Sequence, residues 1–226
     1  MHLQYVKNLL FVCLLVWQSS SFAAINGVWI DNNSNYWLLM QDTKNQVIGV
    51  QIESDLSGTT TFLGLLDNQQ LSLQSLTSDD VVTATLNDTE THFSGTVTEP
   101  NNSYPIEADL ILAYEGGQYD GVWQTSLDHY LAYVTVNSNN TTVAMVIDVL
   151  IDPDGTLTSD IFVGNVREGS FTGTSLKELT KTLRLVFTNT PVTGSYIILT
   201  NERPPKTETQ DFTATQIFTI QQSSVN

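Results

Sequence analysis

The chain has 226 residues, of which 41% are hydrophobic and 14% charged, and its net charge at pH 7 is −16. Eight Lys and Arg residues in such a length cannot form the basic patch that binds polyphosphate, so nucleic acid and anionic membrane surfaces are excluded as partners. Thr, Ser, Asn and Gln replace the missing charges. This composition fits the faces and turns of β-sheets better than solvent-facing helices.

Residues 1–23 have the organisation of a signal peptide. Lys7 supplies a positive charge, residues 9–17 form an apolar stretch, and Ser21-Phe22-Ala23 places small residues at the two positions that determine cleavage. The alternative is a membrane anchor, but the apolar stretch falls well short of the ~20 residues that span a bilayer as a helix. We therefore expect cleavage after Ala23.

The only cysteine, Cys13, lies inside this segment. Cleavage leaves a mature chain without cysteine and, because Lys7 is removed, with 7 basic against 24 acidic residues, a net charge of −17. An exported protein without disulfides is more typical of bacteria than of animal secretion. The sequence predicts a periplasmic or secreted protein of the bacterial envelope.

The mature chain contains an internal repeat. Gly27-Val28-Trp29 recurs 94 positions later as Gly121-Val122-Trp123, and each tripeptide is followed by a Tyr at the same spacing. Further on, Phe62-Leu63-Gly64 matches Phe162-Val163-Gly164. An ordered series of matches indicates a duplicated structural unit. We predict repeats over residues 24–115 and 116–226, with the link between them at residues 114–120.

Each repeat alternates apolar and polar residues with a period of two, which is typical of half-buried strands. Turn residues divide each repeat into about eight short strands of an antiparallel meander, with the final strands near 105–114 and 211–220 and a surface loop at 201–210. Closing such a meander removes its two exposed edges. The fold class is therefore predicted as all-β, with two tandem small closed barrels. One sandwich of two sheets and a 16-strand outer-membrane barrel are the alternatives.

The Gly-x-Trp tripeptide at the start of a first strand resembles that of the calycins, the lipocalin and avidin-like barrels, in which the Trp plugs one barrel end. Over nearly the whole mature chain, the pattern is similar to uncharacterised exported proteobacterial proteins with two Gly-x-Trp β repeats. The calycin resemblance implies a small apolar ligand in a barrel cavity. The residues expected to line such a cavity are Trp37, Tyr133 and Phe187.

Acidic residues in the second repeat suggest a cation site. Asp152-Pro153-Asp154-Gly155, with Asp148 and Asp160 nearby, supplies the hard oxygen ligands and the tight turn that Ca²⁺ requires. The alternative is a type I hairpin turn without metal, since Asp55-Leu56-Ser57-Gly58 in the first repeat keeps only the first Asp and the Gly. Calcium is the only cofactor that the sequence suggests.

Candidates for catalysis are few. His92 and His129 are the only histidines of the mature chain, and Asp128 cannot orient His129 because neighbours on a strand point to opposite faces. No catalytic residue is predicted. The leading hypothesis is a non-enzymatic binding or structural module of the envelope whose partner is a small ligand, a glycan or an envelope protein. A calycin-like carrier of a small apolar ligand and a secreted hydrolase are the alternatives.

Expression with export in a bacterial host tests the compartment. The mature protein is expected to begin at Ala24 and to accumulate outside the cytoplasm, because the segment before it carries the charge, apolar stretch and small residues of a signal peptide. Intact mass and N-terminal sequencing check this. Recovery of the full chain from the membrane fraction would instead indicate an anchor.

Overall fold

The computed structural model describes residues 25–114, 117–138, 141–152, 156–200, 202 and 204–220, and these residues form strands and turns without a helix. The first eight strands are β1 (Gly27–Asp31), β2 (Tyr36–Gln41), β3 (Gln46–Ile52), β4 (Thr59–Asp67), β5 (Gln70–Ser75), β6 (Val81–Leu86), β7 (His92–Glu99) and β8 (Asn102–Ala113). The next eight are β9 (Gly121–Thr125), β10 (His129–Ser138), β11 (Thr141–Ile151), β12 (Leu157–Arg167), β13 (Ser170–Ser175), β14 (Lys181–Val186), β15 (Val192–Leu199) and β16 (Thr207–Thr219).

The strands form two closed antiparallel barrels, each a meander of eight strands. The first barrel closes by pairing β1 with β8, and the second closes by pairing β9 with β16. The prediction of two tandem barrels is confirmed, and the alternatives of one sandwich and of one 16-strand barrel are wrong. Closure pairs the edges that an open meander of this length would expose.

The last strand of each barrel is longer than predicted. β8 begins at Asn102 and β16 at Thr207, so residues 207–210 belong to a strand and not to the predicted loop. These added residues pair only with the preceding strand, since β1 contacts β8 from Ala108 onward and β9 contacts β16 from Ala214 onward. Each barrel thus carries a two-stranded extension beyond the closed part.

The repeated tripeptide forms the short strand that closes each barrel. Gly27 and Gly121 lie so close to the last strand that a Cβ at either position would collide with a backbone carbonyl, and Gly121 also has a φ of 146°. Trp29 lies in the first core, and its indole N–H donates to the Ile25 carbonyl at 3.1 Å. Trp123 repeats this bond to the Tyr119 carbonyl at 2.9 Å. The tripeptide is therefore a closure motif.

Inward-facing side chains fill both barrels. The first core includes Trp29, Trp37, Phe62 and Phe93, and the ring centroids of Trp37 and Phe62 are 5.2 Å apart. Offset and tilted aromatic pairs of this kind add to the stabilisation from buried area. Eight-stranded barrels have an interior just wide enough for side chains to fill.

The two barrels pack against each other through equivalent faces. The register of strand pairing aligns Leu38 with Ala132 and Val50 with Ile147, and all four side chains are buried in one apolar cluster between the barrels. The equivalent residues Thr59 and Ser159 also meet, with the Thr59 hydroxyl donating to Ser159 Oγ at 2.8 Å. Contact between the same patch on two copies is the arrangement of an isologous dimer. The repeats are thus associated as a covalently linked pseudo-dimer.

A polar residue three positions before each Trp secures the entry to the closing strand. Asn26 Oδ1 accepts a bond from the Gln41 amide at 2.6 Å, and Asp120 Oδ1 accepts one from the equivalent Thr135 amide at 3.0 Å. Asp120 is fully buried. Burial raises the pKa of the Asp120 carboxyl above its ordinary value of 3.8, although hydrogen bonds from Gly117 and Thr135 partly oppose the shift.

Giving each barrel the other's residue at this position tests how much free energy of unfolding the buried Asp120 carboxylate costs. The folded protein retains the Asp120 proton to higher pH than the unfolded chain does. The stabilisation that comes from the protonated carboxyl is therefore lost as pH rises from about 4 through the raised pKa. Asp120→Asn is therefore expected to raise the free energy of unfolding at pH 7 and to leave it nearly unchanged at pH 4. Urea titration at both values measures this.

Asn26→Asp is the reciprocal variant. It places a carboxylate in the equivalent buried site of the first barrel and is expected to cost about 1–3 kcal/mol at pH 7. Equal stability of wild type and Asp120→Asn at both pH values would contradict the account.

Candidate functional site

A cluster of polar side chains lies at one end of the second barrel. Six strands contribute inward-facing residues to it. These residues lie near the starts of β10, β12 and β14 and near the ends of β11, β13 and β15. Its members are His129, Asp148, Asp160, Ser175, Lys181 and Tyr196, and we call them the polar end of the second barrel. Each is in phase with apolar residues of the core on its own strand.

Asp148 connects a histidine and a tyrosine. Its Oδ1 lies 2.8 Å from His129 Nδ1, and its Oδ2 accepts a bond from the Tyr196 hydroxyl at 2.8 Å. The Asp148 side chain is 4% exposed, whereas that of His129 is 21% exposed. Burial and the neighbouring Asp148 charge raise the pKa of Tyr196 well above its usual range. Tyr196 therefore remains a hydrogen-bond donor.

Asp160 lies directly across from Asp148 in the pairing of β11 with β12. Its Oδ1 accepts a bond from the Ser175 hydroxyl at 2.6 Å, and its Oδ2 forms an ion pair with Lys181 Nζ at 3.0 Å. The Lys181 ammonium also lies 5.2 Å from the centroid of the Tyr196 ring. This cation–π contact links the Asp160–Lys181 ion pair to the hydrogen-bonded group of His129, Asp148 and Tyr196.

A pocket of about 270 Å³ opens over these groups. Eight of its nine lining residues are polar or charged: His129, Asp148, Thr158, Ser159, Asp160, Lys177, Glu178 and Lys181, with Leu150 as the apolar member. Lys177 donates from Nζ to the Ser159 carbonyl at 3.0 Å, and its backbone amide donates to Ser175 Oγ at 3.1 Å. The pocket thus presents both donors and acceptors.

The first barrel closes the corresponding end without this network. In the pairing register Leu131 is equivalent to Trp37, and the Trp37 indole donates to Asp31 Oδ2 at 2.9 Å. Tyr196 is equivalent to Val97, which belongs to the first apolar core. The first copy therefore completes this end with a tryptophan bonded to one buried carboxylate, whereas the second copy has two carboxylates, a lysine and a histidine there.

Of the residues predicted as calcium ligands, the structure brings two together, Asp148 and Asp160, which are paired across β11 and β12. Asp148 and Asp160 lie in the polar end, where each is bonded to protein donors. Asp152 directly follows β11, and its amide donates to the Thr156 carbonyl at 2.9 Å. Asp154 lies outside the described residues. Within the described ranges no group of three or more His, Cys, Asp or Glu side chains is placed to hold a metal ion.

The residues predicted to line a ligand cavity are packed in the two cores. Trp37 contacts Phe62 in the first barrel. Tyr133 and Phe187 contact each other in the second, with ring centroids 4.8 Å apart. These rings are partners of one another in the arrangement of a protein core.

Alternation along the strands indicates the polar end, although no local motif does. His129 is in phase with Leu131 and Tyr133, and Lys181 is in phase with Leu183 and Leu185, so alternation alone directs both charged side chains inward. The pairing of His129 with Asp148 depends on the register of β10 with β11, which no local motif reveals.

The ion pair in the polar end is expected to matter for stability. Lys181→Met leaves the Asp160 carboxylate buried without its cation, and we expect a loss of about 2–3 kcal/mol in the free energy of unfolding. Adding Asp160→Asn to Lys181→Met is expected to restore most of that loss. Urea denaturation of the single and double variants measures the coupling.

Lys206→Met is the matched control, because Lys206 pairs with Glu202 at positions that are more than half exposed. Its effect is expected to stay within about 0.5 kcal/mol. A Lys181→Met variant as mild as this control would show that the polar end is not electrostatically coupled.

Comparison with known proteins gives no further assignment. The chain matches no protein-family model, no curated protein and no solved structure. None of the described residues forms a helix long and apolar enough to cross a membrane. The resemblance to calycins and to exported Gly-x-Trp proteins stays a prediction from the motif.

Proposed function

We propose that the protein is an exported, non-enzymatic binding module of the bacterial envelope, and that its ligand is a small polyhydroxylated molecule, such as one saccharide unit of a glycan, bound at the polar end of the second barrel. The observation that carries the proposal is the divergence of the two repeats. The first barrel fills this end with Trp37, Val97 and the single carboxylate of Asp31, whereas the second holds Asp148, Asp160 and Tyr196 in the equivalent region.

The free-energy cost of burying these charged groups supports a functional role for them. Removing a carboxylate from water is unfavourable, and an internal ion pair is often no more stabilising than well-packed apolar residues. The first barrel demonstrates that the fold closes without the network. Charged groups that the fold does not require are expected where a protein recognises something.

The chemistry of the pocket supports a polar ligand. Lys177 and Lys181 supply cations, and Asp148, Asp160 and Glu178 supply carboxylates. A ligand with several hydroxyl groups can both donate to the carboxylates and accept from the ammonium groups, whereas an anion would meet three negative charges. A neutral polyhydroxylated ligand is also compatible with the acidic composition of the chain, which excludes nucleic acid.

Binding is favoured over catalysis by the bonding of His129. The two partners that the structure gives its ring are the Asp148 carboxylate and the Tyr196 phenol. A hydrolase of the Ser–His or Cys–His type instead pairs the imidazole with a nucleophilic hydroxyl or thiol. Export is supported by the predicted signal peptide and by the absence of cysteine after it.

A ligand screen with a repeat-guided variant tests the proposal. Lys177 and Glu178 are equivalent to Thr77 and Ser78, which donate their backbone amides to Ser75 just as the later pair does to Ser175. Lys177→Thr with Glu178→Ser therefore removes two charges from the pocket while keeping a backbone arrangement that the first barrel already tolerates.

A panel of monosaccharides and short glycans is titrated into the wild-type protein by calorimetry. We expect saturable binding of at least one member and a loss of affinity of at least tenfold in the double variant. Thr77→Lys with Ser78→Glu is the control in the first barrel and is expected to bind like wild type. No binding across the panel, or equal affinity in both double variants, would refute the assignment.

A further inference from the structure

The junction of the two barrels contains an apolar groove that the polar end does not involve. Its volume is about 280 Å³, and none of its lining residues carries a charge. The first barrel contributes residues of β3 and β4, among them Val50, Thr61 and Leu63, and the second contributes residues of β9 to β11 and β16, among them Ile151 and Ile217. Four of the apolar lining side chains are 41–53% exposed: Leu63, Leu76, Ile151 and Ile217.

Thr61 is a polar residue in the lining of this groove. The residue is 8% exposed, and its hydroxyl oxygen is buried without a hydrogen-bond partner among the described residues. Buried hydroxyl groups nearly always have a partner, and an exception calls for an explanation. The wall of the groove therefore contains one hydroxyl without a hydrogen-bond partner among apolar side chains.

The second repeat shows that the fold does not require a hydroxyl here. Thr61 pairs with Val50, and in the equivalent pairing Ile161 lies opposite Ile147. Ile161 is 2% exposed and belongs to the apolar cluster between the barrels. One half of the pseudo-dimer interface is thus completed by an isoleucine, whereas the other half has a smaller, polar residue at the floor of an open groove.

We propose that this groove binds a small neutral molecule that is mostly apolar and carries one hydroxyl or carbonyl group, and that the Thr61 side chain turns its hydroxyl toward the groove to become the hydrogen-bond partner of that group. The volume lies at the lower limit of ligand pockets, which excludes a long acyl chain. The uncharged lining excludes an ionised ligand, because a buried carboxylate or ammonium would have no counter-charge. The site is separate from the polar end, so either assignment can fail alone.

Three probes with one ring system distinguish the parts of the proposal. Equilibrium dialysis of the full mature chain is expected to show saturable binding of 1-naphthol, weaker binding of naphthalene, and binding of 1-naphthoate at least tenfold weaker than that of 1-naphthol. The hydroxyl of 1-naphthol can pair with Thr61, naphthalene cannot, and 1-naphthoate brings an uncompensated charge.

Thr61→Val tests the hydrogen bond, since valine keeps the shape of threonine and removes the hydroxyl. The variant is expected to lower the affinity for 1-naphthol about fivefold to tenfold and to leave that for naphthalene unchanged or higher, which corresponds to the loss of one hydrogen bond. An equal change for both probes would overturn the role of Thr61.

Ile217→Lys tests the position of the site. Ile217 and Ile111 are the extra residues at equivalent bulges of β16 and β8, and they are 53% and 52% exposed, but only Ile217 lines the groove. Ile217→Lys is expected to reduce probe binding at least tenfold, and Ile111→Lys is expected to have no effect. Both variants change exposed side chains, so both are expected to fold.

Three results would overturn the proposal. One is the absence of saturable binding for all three probes. Another is equal binding by the Ile217→Lys and Ile111→Lys variants. The third is a concentration-dependent dimer in sedimentation that Ile217→Lys dissociates, because the occupant of the groove would then be a second copy of the chain.

Discussion

Closure of each sheet by its shortest strand is the constraint on which the rest of the structure depends. The Gly-Val-Trp strand pairs on one side with the second strand and on the other with the last, so it completes the hydrogen bonding of the whole meander. Gly27 and Gly121 permit the close approach of the last strand, and Trp29 and Trp123 secure the closing strand from inside. Without this strand each sheet would have two open edges.

Closure of each barrel satisfies the backbone hydrogen bonds but leaves an apolar outer face on several strands. β2 is buried at five of its six positions, because one face points into the first barrel and the other into the cluster between barrels. Covering that face with the equivalent face of the second repeat solves the problem for both copies at once. Duplication thus produced a stable pair of barrels and also a groove at their junction, where the pairing of the two faces is incomplete.

Duplication also separates what the fold needs from what one copy has acquired. Features present in both barrels, such as the closing tripeptide and the polar residue before it, are explained by closure. Features present in one barrel are not: His129, Asp148 and Tyr196 at one end of the second barrel, and the Thr61 hydroxyl in the first. The first copy serves as an internal reference for the second, and the second for the first.

The local pattern of alternating residues and turns predicts the strands but not the contacts between distant strands. Alternation and turn residues located sixteen strands, and the need to pair edges predicted closure. The start of β8 was missed because residues 102–104 are polar and Pro105 follows, in a part of the strand that pairs with β7 alone. The polar end was missed because Asp148 was interpreted by its neighbours along the chain, whereas its partners His129 and Tyr196 lie 19 and 48 residues away. Cross-strand register creates that site, and no single segment encodes it.

The central claim is that the charged end of the second barrel serves binding and is not required for folding. The direct test is the free energy of unfolding of a chain in which that end receives the residues of the first barrel. The substitutions are Thr125→Asp, His129→Asn, Leu131→Trp, Asp148→Gln, Asp160→Thr, Lys181→Asp and Tyr196→Val. Our account predicts a folded protein at least as stable as wild type in urea titration. A loss of about 3 kcal/mol or more would instead show that the network is structural and would contradict the claim.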